Sequence, residues 1–206
     1  MKADLPSKIE DRVQQSDTLL MQRYAAGDLQ SFETLYKRHK DSVYRYFMRH
    51  IPDTNIAEDL YQEIWQKVIM QANQYQATAK FTTWLYTLAH NKLVDHVRHL
   101  SVVNKVVVAS VDEQQHSVEI DHQPSHQNQP EGDLTNIRLA ESLAICIQQL
   151  PQVQKDGFLL KEEAGLTVKD IANIHNISLE ASKSRLRYAF ETLRKCLHLK
   201  TGRALV

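Results

Sequence analysis

From Asp17 to about Leu100, and again from Leu134 onward, apolar residues recur at helical spacing with almost nothing to interrupt them. Glycine and proline, which break helices most readily, number only five each in 206 residues. A period near 3.6 sustained over such lengths cannot be met by strands, so the chain is expected to be all-α. Residues 17–100 read as one small helical domain and 134–206 as a second. Residues 1–16 are polar and read as a loose tail. Residues 101–133 change texture: apart from Val106-Val107-Val108 they are rich in Gln, His, Pro and Asp, and they read as a flexible polar linker.

Within the first domain, a short helix from Asp17 to Ala26 should end at Gly27. A longer one, Leu29 to Met48, would bury Phe32, Leu35, Tyr36, Val43, Tyr46 and Phe47, with Pro52 beyond its end. Asn55 with Glu58 three residues on has the form of a capping box for a third helix, to about Ala72. A polar loop, Asn73 to Lys80, leads to a fourth helix from Phe81 to about Leu100.

Charge is balanced overall, 25 basic against 25 acidic residues, but not locally. Pro151 to Val206 carries ten Lys/Arg against six Asp/Glu, whereas Ser101 to Asp133 carries one against six. A basic end and an acidic middle imply different partners. Cys146 and Cys196 are too few and too far apart for a metal motif or a disulfide framework, and each lies in a helical apolar pattern, so both are expected as buried thiols. His116, His122 and His126, six and four apart in the linker, are weak metal candidates. No apolar run is long enough to span a bilayer and no signal-peptide core opens the chain, so a cytoplasmic protein without membrane insertion is expected.

The C-terminal segment, Leu150 to Leu197, has the order of a helix-turn-helix. Thr167 can cap a short helix with Asp170 in its first turn, His175-Asn176-Ile177 makes a turn, and Ser178 can cap the next helix. Ile171, Ala172, Ile177 and Leu186 would pack the two helices together. The second helix presents Ser178, Glu180, Ala181 and Ser182 near its start, then Lys183, Ser184, Arg185 and Arg187, which suits base edges and phosphates in a major groove. A solvated helical hairpin would share these features.

Two further segments belong to the first domain. In Ala57 to Trp65, Leu60, Ile64 and Val68 line one face, while Glu58, Asp59, Gln62 and Glu63 line the other. In Phe81 to Arg98, Thr83, Thr87, Asn91 and Arg98 can share an outward face, with Leu85, Leu88 and Leu93 inward. Aromatics beside a hydrogen-bonding helix suit unpaired bases, although Phe81 and Trp84 could equally be core.

Taken together, these motifs resemble the sigma-70 family of RNA polymerase sigma factors, in its small extracytoplasmic-function (ECF) type. Asp59-Leu-Tyr-Gln-Glu-Ile-Trp resembles its region 2.2, Phe81 to Arg98 its regions 2.3 and 2.4, and Leu150 to Leu197 its region 4. The chain departs from the family pattern in having Glu180-Ala181-Ser182 before Lys183-Ser184-Arg185, and His90 where an Arg is usual. The resemblance implies a non-enzymatic initiation factor with no catalytic residue, cofactor, metal or small-molecule substrate. It implies docking on core RNA polymerase through Asp59, Gln62, Glu63 and Trp65, with Trp65 as an aromatic anchor. It implies capture of a single-stranded −10 element by Asn73, Gln74, Tyr75, Trp84, Asn91, Lys92 and Arg98. Duplex −35 recognition would fall to the helix-turn-helix, from Thr167 and Ser178 through Arg187. An anti-sigma factor is a further expected partner, and the acidic linker would thread toward the RNA exit path or serve as a plain tether. A stand-alone helix-turn-helix regulator would leave the two first-domain segments without a task. A protein-binding adaptor is the other reading from a different class.

Overall fold

In a computed structural model the described residues are 16–108 and 134–201. The expected tail, most of the linker and its histidines His116, His122 and His126 lie outside them. Among the described residues there are helices and no strands, in two units, and no helix is long and apolar enough to cross a membrane. The all-α, two-domain expectation holds.

The first unit comprises α1 (Asp17–Ala25), α2 (Leu29–His50), α3 (Thr54–Met70), a 3-10 turn (Ala72–Gln74) and α4 (Phe81–Val108). Each of the first three helices begins on a side-chain cap. Ser16 accepts from the Leu19 amide, Asp28 from Gln30, and Asp53 from Asn55 and Ile56. Asp53 therefore does what Asn55 was expected to do, and α3 starts two residues earlier. Glu58 is not drawn back into a capping box; it accepts a hydrogen bond from Tyr44 Oη at 3.2 Å. Gly27 links α1 to α2 at φ +100°, which side-chain-bearing residues rarely adopt. α4 runs past Leu100 to Val108, so the β-branched run continues the helix.

Leu20 and Met21 of α1, Leu35, Val43, Tyr46 and Phe47 of α2, Leu60, Ile64 and Val68 of α3, and Phe81, Leu85, Tyr86 and Ala89 of α4 make the first core. Burying each large side chain contributes about 1.5–3 kcal/mol. Trp65 joins this core at 5% exposure, edge-on to Tyr36 with ring centroids 4.9 Å apart. Thr83 is buried too, contrary to the outward face expected for it, and its carbonyl accepts the Thr87 hydroxyl. A helix rotates 100° per residue, so a threonine at the edge of an apolar stripe is carried inward where a neighbouring helix overhangs it.

The second unit comprises α5 (Leu134–Gln148), α6 (Gln152–Glu162), α7 (Val168–His175) and α8 (Leu179–Thr201). Phe158, Leu159 and Leu160 of α6, Ile171 and Ala172 of α7, Leu186, Ala189 and Leu193 of α8, and Ile147 of α5 form its core. Cys146 of α5 and Cys196 of α8 are joined in a disulfide, Cα to Cα 5.8 Å, which overturns the expected buried thiols. The reason is tertiary: α8 returns across α5, and a separation of 50 residues in sequence gives no sign of that.

Closing a loop of that length restrains the unfolded chain by about 4 kcal/mol on a chain-entropy account. Reduction, or Cys196→Ser, is expected to lower the unfolding free energy of the second unit by roughly 2–4 kcal/mol. Urea midpoints with and without reductant check this, and coincident midpoints would refute it.

Candidate nucleic-acid interface

The helix-turn-helix is built as its sequence requires. The Asp170 amide donates to Thr167 Oγ1 at 3.2 Å and the Thr167 amide to Asp170 Oδ2 at 3.2 Å, a reciprocal capping box at the start of α7. Asn176 ends α7 in the left-handed region at φ 52°, which asparagine tolerates better than most residues, and the Ile177 amide reaches back to the Ala172 carbonyl. Ser178 Oγ accepts from the Ala181 amide at 3.1 Å and so caps α8. On α8, Ser178, Glu180, Lys183, Ser184 and Arg187 are exposed, and Ala181 and Arg185 are partly so. Lys183 pairs with Glu180 at 2.8 Å, and the Arg187 guanidinium lies 5.0 Å from the Tyr188 ring centroid. Ser182 is the exception: at 1% exposure, its hydroxyl donates to the Val168 carbonyl at 3.2 Å. It fastens α8 to α7 and cannot meet a base edge.

In the first unit, Asp59, Gln62 and Glu63 form an exposed polar face on α3. Trp65 points to the core behind them, so it is not an anchor for a partner. Asn73 and Gln74 are exposed in the 3-10 turn. Tyr75 is half-buried, its hydroxyl donating to the Ala79 carbonyl at 3.1 Å, and its ring stands 5.2 Å from Trp84 and 6.2 Å from Phe81. This aromatic group lies between the loop and the start of α4, with Tyr75 and Trp84 only partly covered. Further along α4, Asn91 and Arg98 are exposed, while Lys92 forms a salt bridge with Glu63 that ties the two candidate surfaces together.

The structure also brings the two units into contact, through residues that periodicity alone did not single out. Asp156 of α6 is 8% exposed at its side chain and faces four groups. Tyr46 Oη donates to its Oδ1 at 2.7 Å, and His50 Nε2 lies 3.3 Å from the same oxygen. His175 Nε2 donates to its Oδ2 at 2.8 Å, and His90 Nδ1 stands 2.8 Å from that oxygen. Burial would push the Asp156 carboxyl up, but its bonds and contacts with His175, His50 and His90 outweigh this and hold it well below the usual carboxylate range. Burial, and then the facing Asp156 carboxylate, push the Tyr46 phenol well up, so it stays a donor. Nearby, Glu163 accepts from Arg45 at 2.7 Å and pairs with Arg49 at 3.1 Å. Beside these contacts is an open cleft of about 280 Å³ whose lining includes Arg98 of the first unit and Arg185 of the second.

Comparison with known proteins places these elements. Residues 35–102 match the model of Sigma-70 region 2, and residues 140–193 match that of Sigma-70, region 4. The RNA polymerase sigma-H factor of Pseudomonas aeruginosa is 27% identical over 186 residues, covering 89% of this chain and 95% of that protein. The ECF RNA polymerase sigma factor SigK of Mycobacterium tuberculosis is 29% identical over 188 residues, covering 86% and 91%. Among solved structures, sigma factor RpoE of Bartonella quintana, crystallised with the anti-sigma factor NepR, superposes with a TM-score of 0.63 at 18% identity over 85% of this chain and all of that one. CnrH, in complex with the cytosolic domain of CnrY, gives 0.62 at 16% identity over 91% of this chain and all of that one. At such identities the structural likeness speaks for the fold.

The interunit contacts differ in weight. Asp156→Ala leaves the buried Tyr46 phenol and the His175 imidazole without their acceptor and removes the carboxylate that His50 and His90 face, and a loss of about 3 kcal/mol is expected. Glu163→Ala removes ion pairs to partly exposed arginines and should cost under about 1 kcal/mol. Urea unfolding measures both, and small-angle scattering should show the Asp156 variant expanded. Equal effects of the two substitutions would refute the ranking.

Proposed function

The chain belongs to the sigma-70 family as an RNA polymerase sigma factor of the ECF type, and from that premise we propose how its residues divide the work. The family's members are initiation factors and not enzymes: they bind core RNA polymerase and direct it to promoter DNA. In this chain the exposed face of α3, Asp59, Gln62 and Glu63, meets the polymerase, where carboxylates and an amide complement a basic partner surface. Asn73, Gln74, Tyr75 and Trp84, with Asn91, Lys92 and Arg98, receive the unpaired −10 strand. A half-covered aromatic ring beside amide donors is the surface an unstacked base needs, and stacking on it is worth about 1–3 kcal/mol per base. Glu180, Ala181, Ser184 and Arg185 on α8 face the −35 duplex, while Lys183 and Arg187 neutralise phosphates. The observation that carries this reading is the helix-turn-helix itself, capped at both helices with its basic face exposed, in one chain with the acidic α3 face. A stand-alone regulator is not favoured, because it has no use for the first unit. We place the protein's action in the cytoplasm, with the polymerase.

The contact between the units sets a condition on this work. The −10 and −35 elements are, by their names, about 25 base pairs apart, roughly 80 Å of duplex at about 3.4 Å per base pair. A form in which Arg98 and Arg185 line one cleft cannot span that length, so promoter engagement requires the two units to separate. An anti-sigma partner, such as the one that accompanies RpoE of Bartonella quintana, would hold them together.

Run-off transcription with core polymerase and a promoter-fragment library tests the reading. Transcripts dependent on this protein and sharing one upstream motif are expected. Glu63→Lys, which also reverses the partner of Lys92, should abolish co-elution with core, and Arg187→Ala should weaken −35 duplex binding and lower the magnitude of its salt slope by about one. Failure to co-elute with core and to direct any transcript would refute it.

A further inference from the structure

The Asp156 cluster holds more buried ring nitrogens than find a hydrogen bond there. Oδ1 already accepts the Tyr46 hydroxyl. His50 Nδ1 faces the Tyr46 carbonyl at 2.7 Å and must donate to it, because a carbonyl only accepts. His50 therefore backs the carboxylate from the Oδ1 side. On the Oδ2 side two rings converge from different units, His90 on α4 and His175 at the end of α7, 4.9 Å apart between centroids. His90 Nδ1 is 2.8 Å from Oδ2 and yet makes no aligned hydrogen bond, and His175 Nδ1 and His50 Nε2 are likewise buried without one. One ring nitrogen of His90, one of His175 and one oxygen of Asp156 all lie within 4.8 Å of one another.

We propose that His90, His175 and Asp156 are the ligands of a site for a zinc-type divalent transition-metal ion, which draws donors from both helical units and so pins them together. Two imidazoles and one carboxylate are the donor set such ions prefer; calcium and magnesium need more oxygens than the single carboxylate here offers. Zinc holds nitrogen and oxygen ligands at about 2.0–2.2 Å, which sets neighbouring ligand atoms about 3.3 Å apart. The two ring nitrogens now stand 2.8 Å from Oδ2, so modest ring rotations open the room required. Binding replaces the proton that His175 Nε2 now points at Oδ2, which passes to Nδ1 of the same ring or to solvent. Tyr46, donating to Oδ1, orients the carboxylate as outer partners do in metal sites. The cleft lined by His90, Asp156 and His175 gives an ion and a fourth, water ligand their way in. Arg98 and Arg185 on that cleft repel cations at long range, so affinity must come from the ligands themselves and favours ions that bond strongly to nitrogen.

The test uses the full chain, freed of metal, titrated with Co²⁺ followed by visible absorption and with Zn²⁺ against a chromogenic chelator. One equivalent of each is expected, with the intense ligand-field bands of a four-coordinate cobalt site. His90→Gln, on the more exposed ring, and His175→Gln should each weaken Zn²⁺ binding by at least about 100-fold. A triple His→Asn change at His116, His122 and His126 should leave it intact. Ring signals of His90 and His175 in the unaltered protein should shift on adding Zn²⁺, a readout that needs no variant to fold. Absence of stoichiometric binding, binding indifferent to both glutamine variants, or binding lost with the linker histidines would each overturn the site. None of these readouts depends on transcription, so the site and the promoter-directing role stand or fall separately.

Discussion

One buried carboxylate sets the relation between the two halves of this molecule. Asp156 has left water at a cost that its polar partners must offset, and those partners come from α2, α4 and α7. Apolar packing within each unit is generic in the sense that many side chains of similar volume would serve. The contact through Asp156 is not, since removing either side strands polar groups on the other. It fixes which face of the second unit meets the first, and thereby brings Arg98 and Arg185, one from each surface read as DNA-binding, onto one cleft. The closed form is thus specific without being extensively apolar, as suits an arrangement that has to come apart.

Much of this architecture was legible in the sequence, because its signals are local. Thr167 with Asp170, and Ser178, each announce a helix start through side-chain bonds to a backbone amide three residues away, and Asn176 announces a helix end through its tolerance of the left-handed region; the structure carries each of them out. What was not legible depends on distant segments. The disulfide requires α8 to return over α5. Trp65 and Ser182 stand at positions whose face is ambiguous until the neighbouring helix is known: Trp65 is claimed by the aromatic rings of α2, Ser182 by the Val168 carbonyl. The capping of α3 was misplaced by two residues because Asp53 and Asn55 are both good caps and Pro52 does not choose between them. Asp156, in an amphipathic helix rich in polar residues, gave no sign of being buried.

Charge follows the same division. Acidic groups on α3 and basic groups on α8 are exposed, where each can meet a partner of opposite sign. Among the described residues, inward-turned carboxylates are matched, Asp17 with Arg38 and His39 in the first unit and Glu163 with Arg45 and Arg49 between the units, whereas the buried Lys155 ammonium donates to the neutral Gln148 amide oxygen. The balanced total conceals a chain whose surfaces are individually polarised.

His90 and Asn91 are consecutive on α4, one turned to Asp156 and the other to solvent among the −10 candidates. A helix converts adjacency in sequence into a fixed angle of about 100°, so any shift of the α4 backbone there moves both side chains. If Asn91 meets a promoter base as proposed, a substitution there that moves the α4 backbone would also change how readily the protein unfastens. Variants selected at position 91 for a new promoter would then differ in resting activity as well, and diversification of specificity at this site is coupled to diversification of control.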